Sequence, residues 1–394
     1  MQKVLGVTAE YNPMHLGHAF HLAASREQLG EDCPVVCVMS GDFVQRGTAA
    51  VYDKFTRAEA AVRAGADLVL ELPLPWSIAS AEGFARGAVR ILAATGVVTH
   101  LSFGSECGEA APLQTLADAL LAPDMDDAIR TALRTGVSYP KTRQLALRQQ
   151  IGELADLLET PNNILGIEYL KAVSDLGLSL TPITVRRTGA QHDQAGEGQL
   201  RSAPELRALL EAGADISRYV PAPAAEVYAH AQPVLPRDLE TALLSRLRML
   251  PPEAFRAIPG AEEGLENALC RAVHAEPTLE AVLMAAKSKR YALSRLRRMA
   301  LCAALGVTKE RSAGLPPYLR VLAANARGRA LLRQMAEASA LPVITKPAAV
   351  KELSADVQRV FEVTAAAHDL YVLGYAEAER RRPGEDWRHS PAML

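Results

Sequence analysis

The sequence predicts an α/β fold: a parallel sheet with helices on both faces over roughly the first half, followed by an all-helical C-terminal domain. Two observations carry this. Short β-rich runs alternate with amphipathic helical stretches through the first hundred residues, and beyond a stretch punctuated by Pro221, Pro223, Pro233 and Pro236 the apolar spacing is helical almost throughout. A boundary near residue 220 follows, giving units of 1–220 and 221–394. The chain's 394 residues, 49% of them hydrophobic, supply a core for both.

Val4 to Thr8 reads as the first strand, because it is apolar and β-branched and leads toward Pro13, which cannot continue a ladder. Val35 to Met39 is a continuous apolar run of strand length, the mark of a strand covered on both faces, and Leu68 to Leu72 is another, interrupted only by Glu71. His100 to Phe103 is the fourth strand. Helical stretches at Gly17 to Gln28, Thr56 to Ala64 and Glu82 to Ala94 separate them, each long enough for a right-handed crossover. Leu113 to Leu176 is mostly helical, then a fifth strand is expected at Leu180 to Val185 and a helix at Ala203 to Ala212. The second half should hold helices at Leu239 to Met249, Leu265 to Ala275, Leu279 to Leu305, Leu319 to Ala338 and Lys351 to Ala378.

Charge divides the chain as the pattern does. The formal total is −2, but residues 1–220 carry 19 Lys and Arg against 26 Asp and Glu, whereas 221–394 carry 24 against 19. The basic back half points to an anionic partner. No apolar run reaches the ~18 residues of a membrane span and the N-terminus leads directly into a strand, so a cytoplasmic location is expected. Five scattered cysteines do not make a disulfide framework, and Cys33 and Cys37 read as buried reduced thiols.

The end of the first strand holds the most informative residues: Val7, Thr8, Ala9, Glu10, Tyr11, Asn12, Pro13, Met14, His15, Leu16, Gly17, His18. Open α/β sheets bind ligands where a strand ends and a helix begins, and unpaired amides there favour an anion. His15 and His18, three apart, share one face of the first helical turn and suit a triphosphate whose charge grows as a bond to phosphorus breaks. This H-x-G-H spacing resembles the phosphate-binding signature of the nucleotidyltransferase superfamily, which implies a Rossmann-like catalytic domain. His21 continues the face and reads as a packing residue. The other strand ends should complete the site: Ser40 to Gly47 as a loop for acceptor or phosphates or a mere turn, Phe103 to Glu106 with Gly104 admitting adenine or ribose, and Arg186 to Asp193. Ser202, ahead of Arg207, falls where the superfamily commonly opens a phosphate-gripping helix.

Further segments carry a narrower resemblance. Thr8 to Pro13 with His15 to His18, Gly41-Asp42-Phe43-Val44-Gln45-Arg46-Gly47, Gly65 to Pro73, Phe103 to Glu106, Pro161-Asn162-Asn163-Ile164-Leu165-Gly166 and Lys289-Arg290-Tyr291 are similar to the tRNA(Met) cytidine acetate ligases. The resemblance implies activation of acetate by ATP to acetyl-adenylate, then transfer of the acetyl group to the wobble cytidine of elongator tRNA(Met). It places ATP contacts on Val7 to Phe20, including Ala19 and Phe20, and on Gly104, Asn162 or Asn163, and Arg187. Two departures stand out: Gln191 precedes His192-Asp193 where a longer Gly-Tyr insertion is expected, and Ala292 and Ser294 replace threonines. Mg²⁺ held by phosphates and water is expected with the ATP and would leave little trace in sequence. No protein partner is indicated.

From Met284 to Arg298 six residues are basic and none is acidic. Lys287, Lys289, Arg290, Arg295 and Arg298, with Tyr291 to stack on a base, are therefore expected to bind tRNA; Arg320, Arg327, Arg329 and Arg333 extend the patch. The alternatives are a nucleotidyltransferase for a small phosphorylated metabolite, an acetate ligase acting on a protein thiol, and a non-catalytic RNA-binding protein that retains ATP.

Overall fold

Parallel strands with the sequence order third, second, first, fourth, fifth form the centre of the molecule, which is described here from a computed structural model. It describes residues 2–125, 127, 129, 139–187, 200–262, 264–288 and 291–394. The strands are β1 Leu5–Ala9, β2 Val35–Ser40, β3 Phe43–Val44, β4 Thr48–Ala49, β5 Leu68–Leu72, β6 His100–Ser105, β7 Thr181–Arg186, β8 Leu319–Ala324, β9 Val343–Ile344 and β10 Ala392–Met393. The sheet runs β10-β8-β5-β2-β1-β6-β7, with β9 beside β8; β3 and β4 form a separate hairpin. The order of the strands reverses at β1, which pairs in parallel with both β2 and β6, so the crevice at their carboxyl ends is the topological switch point of this sheet.

Side chains alternate across the strands and fill two cores. On one face Val36, Val38, Leu70, Leu101 and Phe103 pack against the helices Ala81–Ala94, Ala110–Leu120 and Pro161–Asp175. On the other, Leu5, Val7, Val35, Cys37 and Met39 meet the helices Leu16–Leu29, Lys54–Arg63 and Ala222–Ala229. A third core belongs to the helical region, and Phe43, Leu74 and Ile78 from the front half enter it. Among the described residues no helix is long and apolar enough to cross a membrane.

The Rossmann-like sheet and the helical C-terminal region are both present, with three differences in detail. Residues 319–324, expected to begin a helix, form β8, which runs antiparallel to β5; its six residues are all buried, and continuous burial favours a strand over a one-faced helix. The expected helix Leu279 to Leu305 is two, Leu279–Ala286 and Leu293–Leu305, separated by an extended Lys287. β10 and Leu394 then pair with β8, so the end of the chain closes this edge of the sheet.

Candidate active site

The turn after β1 is built around two interlocked imidazoles. His15 caps the helix Leu16–Leu29: its Nδ1 accepts the Gly17 amide at 3.1 Å, while His18 Nδ1 accepts the His15 amide at 3.3 Å. The rings stack at 3.7 Å, and Tyr11 meets His18 edge-on at 5.0 Å. With both Nδ1 atoms engaged as acceptors, each neutral ring carries its proton on Nε2 and offers that N–H as a donor. Burial, reinforced by the Arg187 and Arg207 guanidinia, lowers His15 to about 4, and burial with His15, Arg187 and His21 holds His18 well below the ordinary value. Two neutral donors therefore face a cationic surrounding at neutral pH. The first-turn amides differ from expectation, because Gly17 N–H is taken by the ring and His18 N–H by the His15 carbonyl.

Distant segments fix this turn. Tyr11 holds a left-handed φ of 45°, a costly conformation for a bulky residue, and its hydroxyl lies 3.3 Å from Cys37 Sγ. Asn12 Oδ1 accepts the Val51 amide, the Met14 amide donates to the Tyr228 hydroxyl, and Arg207 donates to the Asn12 carbonyl at 2.8 Å. Val7, Tyr11 and Met14 are core side chains, so any ligand meets them through backbone, whereas Phe20 is 58% exposed.

Arg57, fully buried, ties the carboxyl ends of β1 and β2 together. Its guanidinium donates to the carbonyls of Tyr52, Glu10 (2.6 Å), Ser40 (3.1 Å) and Gly41. Sequence reasoning missed it, since a lone arginine in a helix carries no signal of burial. Glu10 accepts the Gln45 amide at 3.0 Å; burial raises its carboxyl above the usual range, against the pull of Gln45, Arg207, Arg46 and Arg57.

A second cluster forms at the carboxyl end of β6. Glu106 caps the helix Pro161–Asp175 by accepting the amides of Asn162 and Asn163 and the Asn162 side chain. Although burial alone would raise it, these bonds hold Glu106 below the usual carboxylate value. Asn163 is buried, its Oδ1 engaged by the Glu106 and Cys107 amides, whereas Asn162 Oδ1 accepts from Arg187 at 2.6 Å. Of the two asparagines, Asn162 is thus the one beside the arginine. Gly104 serves that arginine too: a Cβ there would lie 2.8 Å from Arg187 Cδ, so the gap seats the arginine stem rather than standing open for a base.

Ser202 caps the helix Ala203–Glu211, its amide and hydroxyl both donating to Glu205, and that exposed box occupies the hydroxyl expected to meet phosphate. His21 is bonded to Ser102 at 2.9 Å, in keeping with a packing role. Thr188 to Asp193, including the Gln191 departure, lie outside the described residues.

The loop after β2 is more than a turn. Asp42 accepts the Lys54 amide and pairs with His368 Nδ1 at 2.9 Å; Lys54 bridges Glu71 (2.8 Å) and Asp386 (2.7 Å), and Arg320 bridges the same two carboxylates. Arg320, expected in an RNA patch, is therefore an interior residue of this network. Arg327 and Arg329 begin a helix whose cap, Asn325, bonds Asp67 ahead of β5. They stand at the amino edge of the sheet, away from the His turn.

The basic stretch is partly engaged within the chain. Arg295 donates to the Gly260 carbonyl at 3.0 Å and stacks over Tyr291 at 4.8 Å, and Arg298 is half-buried. Lys287 is exposed, while Lys289 and Arg290 lie outside the described residues.

Comparison with known proteins gives concordant matches. The profile of the family described as HIGH Nucleotidyl Transferase matches residues 1–386. The tRNA(Met) cytidine acetate ligase of Caldanaerobacter subterraneus subsp. tengcongensis is 38% identical over 387 residues, covering 95% of this chain and 96% of its own. That of Thermoanaerobacter sp. (strain X514) is 36% identical over 386 residues, covering 94% and 95%. The crystal structure of Thermotoga maritima TmcAL bound with alpha-thio ATP superposes with a TM-score of 0.93 at 33% identity, covering 100% of both chains.

Proposed function

Because this chain belongs to the HIGH nucleotidyl transferase family and, within it, to the tRNA(Met) cytidine acetate ligases, we propose that it couples ATP and acetate to acetylation of the wobble cytidine of elongator tRNA(Met). The observation that carries this reading is the pair of stacked imidazoles at the switch point of the sheet, each accepting a backbone amide at Nδ1 and so left with Nε2–H to donate.

Acetate is a poor acyl donor until one oxygen becomes part of a good leaving group. In the first step an acetate oxygen attacks the α-phosphorus of ATP, the α,β bridging bond breaks and pyrophosphate departs with its electron pair. His15 and His18 donate to phosphate oxygens as charge develops, Asn162 and Arg187 hold the nucleotide from the β6 side, and the enzyme's share is positioning and electrostatics. In the second step the cytidine N4 amine attacks the acetyl carbon, the carbon–oxygen bond to AMP breaks, and the amine loses a proton to give 4-acetylcytidine. Neither step needs a covalent enzyme intermediate. Among the described residues no cluster of three or more His, Cys, Asp or Glu is arranged to hold a metal. Mg²⁺ would be held chiefly by phosphates and water, where it would neutralise charge on the departing pyrophosphate.

The acidic segment 1–220 takes the nucleotide chemistry and the basic segment 221–394 the tRNA, through Lys287, Lys289, Arg290, Tyr291, Arg295 and Arg298. Acetate-dependent exchange of labelled pyrophosphate into ATP tests the first step. Exchange that requires acetate supports the reading, and exchange driven by a phosphorylated metabolite instead would replace it.

A further inference from the structure

The β3–β4 hairpin stands where the two halves of this reaction meet. One side of its tip is fastened to the nucleotide turn, since the Gln45 amide donates to Glu10 Oε1 at 3.0 Å. The other side touches the helix Leu293–Leu305: Gly47 has a φ of 78°, and a Cβ there would lie 2.6 Å from the Arg298 backbone nitrogen and 3.0 Å from Arg297 Cβ. Between these anchors Arg46 is exposed, and it makes no hydrogen bond or ion pair among the described residues.

We propose that Arg46 takes a backbone phosphate of the RNA strand that carries the acceptor base, making the hairpin tip and the start of the basic helix one RNA-facing surface contiguous with the nucleotide turn. This rests on the ligase reading above.

Charge and partnering favour that occupant. Three guanidinia, Arg46, Arg57 and Arg207, lie near enough to the single Glu10 carboxylate to pull against the effect of its burial. Arg57 is held by four backbone carbonyls and Arg207 by that of Asn12. Arg46 is the member of the three left for an anion from outside. A guanidinium on a rigid hairpin matches the paired oxygens of a phosphodiester, and such contacts fix the register of a strand without reading its bases. An acceptor amine can reach the acyl carbon only if its own strand is held beside the nucleotide turn, which is where this tip lies.

The test compares wild type with Arg46→Gln and Arg46→Lys in two assays: acetate-dependent pyrophosphate exchange, and transfer to tRNA(Met) with KM measured across a series of KCl concentrations. The expected result is exchange within about twofold of wild type for both variants, with KM for tRNA raised about tenfold in Arg46→Gln and the slope of its logarithm against log[KCl] reduced by about 1. Arg46→Lys, which keeps the charge, should retain most of the slope. Unchanged KM and slope in Arg46→Gln would overturn the proposal, and so would impaired exchange with a raised KM for ATP, which would move Arg46 to the triphosphate. If wild type itself shows acetate-dependent exchange but no acetylated cytidine, or no such exchange, the ligase reading falls and this surface with it.

Discussion

An imidazole that accepts at Nδ1 and keeps its proton on Nε2 donates a hydrogen bond without adding a net charge, and His15 and His18 are both set in that state by their reciprocal capping bonds. Nitrogen-15 NMR of the free protein at pH 6.5 should show both as neutral Nε2–H tautomers; an imidazolium signal at either would contradict the assignment. Since a donor aimed at developing charge contributes ~10²–10³ in rate, His18→Ala should slow acetate-dependent pyrophosphate exchange by about that factor, and a near-normal rate would remove His18 from the chemistry. The His pair was legible in the sequence because its spacing and its place after a strand are local features. Its protonation was not, because it depends on burial in the fold and on Arg187, about 170 residues along the chain. The same distance hid which asparagine faces the site: only the fold shows Asn163 closing the Glu106–Cys107 backbone and Asn162 meeting Arg187.

The β3–β4 hairpin shows how an element of two short strands can link two halves of a molecule. Its tip touches the turn after β1 through Gln45 and the helix Leu293–Leu305 through Gly47. Gly47→Ala adds a Cβ against backbone in a left-handed conformation, so the hairpin or the helix must move. We expect a loss of about 1–3 kcal/mol in unfolding free energy and a larger fall in tRNA transfer than in pyrophosphate exchange, measured by denaturant titration and the two assays. Equal stability and equal activities would show that the contact is not held in solution. From sequence this segment read as a loop or a turn, because Phe43–Val44 and Thr48–Ala49 are too short for periodicity to register. β8 escaped for a related reason: a fully buried run, apolar but for Arg320, carries no alternation, and its helical neighbour Ala326–Ala338 lent it a helical period.

At the scale of the molecule, the Lys54, Glu71, Arg320 and Asp386 network joins the strand edge to the end of the chain, and His368 bridges Asp42 and Glu385 beside it. Removing one member of a buried charge network costs ~3–5 kcal/mol, and Asp386→Ala should lower stability by about that amount. An unchanged denaturation midpoint would show the network to be incidental. Two groups of histidines shape the pH dependence with opposite signs. Burial alone would lower His368, but Asp42 and Glu385 outweigh it and hold it at about 10, so the folded state binds a proton that the unfolded chain releases above its ordinary ~6.5. That stabilisation is fully present below pH ~6.5 and is lost as pH rises through about 10. His15, at about 4, does the reverse: the unfolded chain takes up its proton first, so stability falls as pH drops from ~6.5 toward 4. Denaturant unfolding from pH 5 to 10 should therefore show two sloping limbs, with His368→Gln flattening only the alkaline one; an unaltered alkaline limb would contradict its paired state. In the proposed reaction one acetate oxygen bonds to the α-phosphorus of ATP before the acetyl group reaches RNA. Turnover with doubly ¹⁸O-labelled acetate, ATP and tRNA(Met) tests it by mass spectrometry of the AMP formed. One ¹⁸O is expected in AMP and one in the acetyl carbonyl of 4-acetylcytidine, whereas acetylated cytidine accompanied by unlabelled AMP would contradict an acetyl-adenylate.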